Sequence, residues 1–360
     1  MPANSYTGRF GRLLPSRPQS RWALLAAATV AGLTLSALYV ERQRRRVEAE
    51  NPPAGRFVDV DGTRLHYTVH GQADAPALVL LHGIGSMGQE IELSGLVELA
   101  ARQFRVFVFD RPGYGHSPRV ADPTPQAQAN LFLHALSELG IERPIVVAHS
   151  WATLVAQAMA LQSPASLKGV VLMGGYYTPS LRLDVLFNSL PAVPVIGPLL
   201  AHTVSPLWAR LIWRATTWRM FSPAPRELRE GFRQRYPAWM SLRPSALRTA
   251  ASETSMLIPQ ALRLRLQQPD THLPVVIVAG ANDRLLSPNW HSQRAEGHWP
   301  NSRVHLVPQA GHMVHHAAPQ AVLEAIREVS SMVTPEAPVP LDEPPQIAPE
   351  DQALQQQFTG

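Results

Sequence analysis

A chain of 360 residues with 45% hydrophobic and 16% charged side chains can bury a sizeable core, which excludes disorder throughout. It has no cysteine, so a disulfide scaffold, a thiol nucleophile and every thiolate metal site are excluded as well. The net charge of +5 would suit nucleic acid, but the basic residues are almost all arginine in a few blocks, with Lys168 the single lysine, and no nucleic-acid motif accompanies them.

Residues 1–21 form a basic segment carrying Arg9, Arg12, Arg17 and Arg21. They lead into an uncharged run at 22–40, 19 residues in length. At 1.5 Å per residue such a run crosses a hydrocarbon core of roughly 30 Å. Trp22 and Tyr39 stand at its edges, where amphipathic rings suit the membrane interface. No convincing small-residue cleavage site follows, so the run reads as an uncleaved single-pass anchor rather than a removed signal. Arg42, Arg44, Arg45 and Arg46 come next, four against four, and the positive-inside rule leaves the side of the membrane open. Residues 41–54 read as a linker.

From residue 55 the pattern changes. Period-2 alternation on both sides of Asp61-Gly62 predicts a hairpin. Apolar runs at 77–82, 104–110, 144–150, 167–175, 274–280 and 302–308 read as strands buried on both faces. Helical periodicity lies between them at 91–102, 124–140, 151–162 and 316–330. Strand–helix alternation predicts an α/β fold, a mostly parallel, doubly wound sheet formed by 55–175 and 269–333. Ligands bind such sheets beyond the carboxyl ends of the strands. Residues 176–268 break the alternation with helical pieces, four tryptophans and twelve arginines against four acids, and read as a helical lid inserted over those ends. Residues 334–360, with six prolines, five acids and no basic residue, predict a disordered tail.

The chemistry gathers at the strand ends. The strand at 144–150 runs into His149-Ser150-Trp151-Ala152 and then an apolar helix, the setting of a nucleophile elbow. Glycines usually flank such a serine because strand and helix pass closely; here Ala148 and Ala152 add a methyl at each point. A serine nucleophile needs a base, and the base needs an orienting carboxylate. Asp283 follows the strand at 274–280 and His312 follows the strand at 302–308, giving the order Ser, Asp, His. Asp110 also closes a strand, but it leads into a Pro-Gly turn and reads as the anchor of that loop. Two backbone N–H groups are needed for an oxyanion; those of Trp151 and Ile84, the latter between Gly83 and Gly85, are the candidates. His149 is expected on the opposite side of the elbow, and His315 and His316 are expected to cap a helix or face solvent. The histidines show no metal-ligand spacing, and no phosphate loop or dinucleotide fingerprint is present, so neither metal nor cofactor is expected.

The motifs His82-Gly83, DRPGYGHS at 110–117, the elbow at Ser150, Gly280-Ala-Asn-Asp283 and Gly311-His312 match in order and spacing those of one family. Over residues 55–333 the chain resembles the α/β-hydrolase superfamily, in its lid-bearing branch of lipases, esterases and related serine hydrolases. A serine at 150 separates it from the dehalogenases and epoxide hydrolases, which carry aspartate there. The resemblance implies an α/β-hydrolase fold and a carboxylic ester hydrolase working through Ser150, His312 and Asp283, with an ester or amphiphilic small molecule as substrate. The same triad acting on a C–C or amide bond, or in cofactor-free perhydrolase or haloperoxidase chemistry, stays open. So does a non-catalytic, membrane-tethered binding protein. An anchor beside an Arg-rich, Trp-bearing insertion would also hold the mouth of the site near anionic lipid, the plainer alternative being a solvated basic surface.

Overall fold

The computed structural model describes residues 17–332 except 268 and 270, so the tail expected at 334–360 and most of the basic segment at 1–21 lie outside the described residues. The chain enters through one continuous helix, α1 (Arg17–Glu50). At 1.5 Å per residue its 34 residues reach about 51 Å, well beyond a hydrocarbon core of roughly 30 Å. The segment 41–50, expected as linker, is the continuation of this helix. Ion pairs of Glu41 with Arg44 and Arg45, and of Arg46 with Glu50, space opposite charges three or four residues apart, which favours helix over coil.

β1 (Arg56–Val60) and β2 (Thr63–His70) form the expected hairpin. Asp61 and Gly62 turn it with φ of 48° and 75°, the left-handed values that a two-residue hairpin turn demands. β3 (Ala77–Leu81), β4 (Arg105–Phe109), β5 (Ile145–His149), β6 (Gly169–Met173), β7 (Val275–Gly280) and β8 (Ser302–Val307) complete an eight-stranded sheet in the order β1-β2-β4-β3-β5-β6-β7-β8. Only the β1–β2 and β2–β4 pairings are antiparallel. β3 to β7 are Val-, Ile- and Leu-rich because helices cover both of their faces, whereas β8, also expected to be buried on both faces, lies at the sheet edge and is partly exposed throughout.

Those helices depart from expectation in two places. The stretch 91–102 divides into α2 (Gly88–Glu92) and α3 (Leu96–Ala100), because Gly95 takes φ 81° between them. α4 (Pro125–Glu138) opens on Thr124, whose hydroxyl accepts from the Ala127 amide, and α5 (Ala152–Gln162) follows the elbow. Between β6 and β7 come α6 (Leu183–Asn188), α7 (Ile196–His202), α8 (Val204–Phe221), α9 (Arg226–Arg235), α10 (Ala238–Ser241) and α11 (Pro244–Leu266). After β7 lies α12 (Ser292–Ala295). The last helical stretch breaks before Pro319 into α13 (Val314–Ala317) and α14 (Pro319–Ser331), since proline lacks the N–H that would continue the helix.

One buried ion pair fastens the insertion to the sheet. Arg111, just past β4, meets Glu253 of α11 through two contacts of 2.6 and 3.1 Å, and both side chains are fully buried. Tyr114 and Gln128 also donate to this carboxylate, at 2.7 and 3.0 Å. The Trp151 indole donates to the Glu253 carbonyl at 3.2 Å. Removing one charge would leave the other buried without compensation, at a cost of about 3–5 kcal/mol. Glu253→Gln is therefore expected to lower stability by that amount in detergent-solubilised protein, measured by denaturant unfolding. A change below about 1 kcal/mol would contradict the role given to the pair.

Candidate active site

Ser150 sits between the last residue of β5 and the first turn of α5 with φ 55°, a left-handed conformation that is uncommon for a residue with a side chain. Its amide is held by the Met173 carbonyl at 2.8 Å. This sharp corner lifts the hydroxyl away from the helix, and Ser150 does not cap it. Across the corner, Gly83 approaches so closely that a Cβ there would lie 3.1 Å from both Ser150 Cβ and His149 Nδ1. Ala148 and Ala152 are fully buried, so their methyls are accommodated where glycines were the expectation.

The three side chains expected to meet do so. The Ser150 hydroxyl donates toward His312 Nε2 at 3.0 Å, and His312 Nδ1 donates to Asp283 Oδ2 at 2.8 Å. Asp283 Oδ1 accepts from the amides of Leu285 and Leu286 at 2.7 and 3.0 Å. Burial pushes the Asp283 carboxyl up, but the His312 imidazole and these two amides outweigh it, so the group is held below its ordinary value and stays ionised. That charge fixes the tautomer with the proton on Nδ1, which leaves Nε2 free to accept. Ile84 and Trp151 line the same cavity as Ser150. Among the described residues, neither of their backbone N–H groups donates to another protein group.

The cavity holds about 300 Å³. Tyr176, Val185, Met220, Leu257 and Leu286 give it an apolar wall, and Arg182, Asp184, Asn188, Thr216 and Thr254 add polar groups. None of these was singled out from sequence, because all but Leu286 come from the irregular insertion, where no spacing rule predicts which side faces inward.

Other residues are placed differently from expectation. His149 does not point to the far side of the elbow: its ring lies 4.9 Å from that of His312, and Nε2 donates to the His312 carbonyl at 3.1 Å. His315 and His316 neither cap a helix nor face solvent. Both are buried and donate through Nε2 to one oxygen of Glu90, at 2.6 and 2.8 Å. Among the described residues this trio has the proximity of a metal-ligand set. Two ligand atoms on a tetrahedral zinc would stand about 3.3 Å apart, so the shorter spacings here fit hydrogen bonds, a clasp tying α2 to the loop of His312. Asp110 does anchor its loop, accepting from Gly88 and His116 amides at 2.7 and 2.9 Å and contacting His66 Nδ1 at 2.7 Å.

A family model described as "Alpha/beta hydrolase family" matches residues 78–325. The chain belongs to the alpha/beta hydrolase family. Among its relatives is RutD of Caulobacter sp. (strain K31), provisionally named a carbamate hydrolase, 26% identical over 74% of this chain and 95% of that protein. Another is the sn-1-specific diacylglycerol lipase ABHD11 of Mus musculus, 24% identical over 71% of this chain and 81% of that one. A thermophilic esterase from Thermogutta terrifontis shares the fold with a TM-score of 0.60 at 22% identity, covering 76% of this hydrolase and 97% of the esterase.

Burial holds several imidazoles of this hydrolase below their ordinary range, among them His82, down to about 3, His291, down to about 4, His149 and His316. As pH falls below about 6.5, the unfolded chain binds protons that these folded-state groups refuse. Their contribution to stability is thus present above that pH and lost below it. The Glu90 carboxyl, held well below its ordinary value despite burial by its two histidines, acts in the same direction at lower pH. The melting temperature is expected to fall steadily from pH 7 to pH 4.5 in scanning fluorimetry; a flat profile would contradict this account.

Proposed function

We propose that this alpha/beta hydrolase cleaves carboxylic esters through a Ser150–His312–Asp283 triad. The observation that carries the reading is the unbroken hydrogen-bond chain from the Ser150 hydroxyl through both nitrogens of His312 to Asp283. His312 Nε2 takes the serine proton as Oγ attacks the acyl carbon, and the carbonyl electrons move onto its oxygen. The amides of Ile84 and Trp151 stabilise that oxyanion. His312 then returns the proton to the leaving alkoxide, the C–O bond breaks, and an acyl-serine remains. Water, deprotonated by the same imidazole, attacks the acyl-serine; the acyl–Oγ bond breaks, His312 returns the proton to Ser150 Oγ, and the acid is released.

Ester cleavage is favoured over the other bonds by the lipase and esterase among the similar proteins. The name of RutD keeps carbamates in the test panel, beside diketones and aminoacyl amides. The insertion at 176–268 acts as the lid. α1, whose Arg21–Glu50 stretch is long and apolar enough to cross a bilayer, is assigned as the membrane anchor.

A fluorophosphonate is expected to label the wild type, and Ser150→Ala to abolish both labelling and ester hydrolysis with an unchanged circular dichroism spectrum. Asp283→Asn, which presents the wrong tautomer of His312, is expected to lose about 10⁴-fold in kcat. Labelling that survives Ser150→Ala would remove the assignment. A folded wild type that is never labelled would favour the non-catalytic binding protein.

A further inference from the structure

The insertion carries more exposed apolar surface than solvent exposure explains. From Val185 to Ala209 there is no Asp, Glu, Lys or Arg. Leu186, Phe187, Val195, Ile196, Trp208 and Leu211 are all exposed, Phe187 and Leu211 each at 74%. Monomeric soluble surfaces rarely gather so many large apolar groups in one place. The segment Leu183–Ala192, which contains α6, and α7 meet at 93° and together are as apolar as a bent membrane-inserted segment.

The occupant of this face follows from what lies against it. Ser36, inside the uncharged run of α1, donates to the Thr203 carbonyl at the α7–α8 junction, at 2.8 Å. Ser36 is four residues before the end of that run at Val40, about 6 Å along the helix axis. If the run sits in hydrocarbon, the junction is held at the depth of its inner edge. The helix is fixed there by further contacts. Tyr39 packs edge-on against Trp239 at 6.0 Å, Val40 and Val47 are buried, and Glu48 pairs with Arg243 at 3.2 Å. Arg210, beside Leu211, and Arg214, one turn further along α8, are also exposed, and their long side chains would reach lipid headgroups at the edge of this face.

The same helices frame the catalytic cavity. Val185 and Asn188 of α6 and Thr216 and Met220 of α8 line it, while Leu186, Phe187 and Leu211 on these helices face outward. Asp184, Asn188 and Thr216 both line the cavity and remain exposed, so it reaches the surface between α6 and α8, within the apolar face.

We infer that the outer face of α6, α7 and the first half of α8 is seated in the bilayer beside α1, and that the cavity opens there to take a long-chain amphiphilic ester directly from the lipid. The choice of ester rests on the triad reading above; the seating of the lid does not.

The absence of cysteine allows single-cysteine probes on the full chain. Phe187→Cys and Leu211→Cys, with exposed Glu98→Cys on α3 as the control, would carry an environment-sensitive fluorophore in phosphatidylcholine–phosphatidylglycerol vesicles containing doxyl-labelled acyl chains. The lid probes are expected to shift to the blue and lose at least half of their emission to the doxyl groups, with Glu98→Cys unaffected. Quenching of the lid probes no greater than the control overturns the seating. So does shielding that disappears as protein is diluted in lipid, which would mean that a second copy covers the face. In the activity arm, Phe187→Glu/Leu211→Glu is expected to cut hydrolysis of a vesicle-borne diacyl ester at least ten-fold while leaving a dissolved short-chain ester unchanged. Equal effects on both substrates overturn the entry route. Wild-type protein inactive on every ester removes the ester reading, and the fluorescence arm still decides the seating.

Discussion

An imidazole can serve a hydroxyl and a carboxylate at once only if three distant pieces of chain arrive at one edge of the sheet within hydrogen-bond reach. Here the pieces are the β5–α5 corner, the loop after β7 and the loop after β8. Parallel pairing of β5, β6, β7 and β8 brings their carboxyl ends to the same rim. The close approach of the last two loops depends on Gly280, since a Cβ there would lie 2.2 Å from the Gly311 carbonyl oxygen. Register in the sheet therefore governs the 2.8 and 3.0 Å contacts of His312.

Buried polar clusters keep those loops from drifting. Arg111 bridges the core to α11, and its Nε also donates to the His82 carbonyl at 2.7 Å, at the start of the loop carrying Ile84. Glu90 holds His315 and His316, just beyond His312. Asp110 binds Gly88 and His116. A buried carboxylate deprived of its donors is costly, so each cluster favours one loop conformation over nearby alternatives.

The division between what the sequence disclosed and what it concealed follows the sheet. Strands buried on both faces announce themselves as unbroken apolar runs, and residues directly after them are confined to one rim, so Ser150, Asp283 and His312 were legible together. Their legibility came from topology: no local feature of Asp283 marks it, but its place after β7 does. His149, His315 and His316 were misjudged because adjacency in sequence says nothing about which neighbour a ring meets once loops fold back. Glu90, 225 residues before His315, carries no pattern that pairs them. The inward and outward sides of α6 and α8 were equally hidden, since α6 is too short to show a period and apolar side chains of α8 face both the cavity and the outside.

The unbroken course of α1 past Val40 changes what the insertion can do. A flexible linker at 41–54 would let the catalytic unit tumble above a membrane, and its mouth would face lipid only by chance. A helix running to Glu50, with Val47 buried and Glu48 tied to Arg243, removes that freedom. Arg243 also donates to the Gly115 carbonyl, in the loop whose other end is fixed by Asp110. α1 is thus coupled through two side chains to the core and through Ser36 to the α7–α8 junction. Orientation of the cavity relative to α1 becomes a property of the fold, and the inferred burial of Phe187 and Leu211 in lipid would require no separate ordering step because the helices that carry them are already in place.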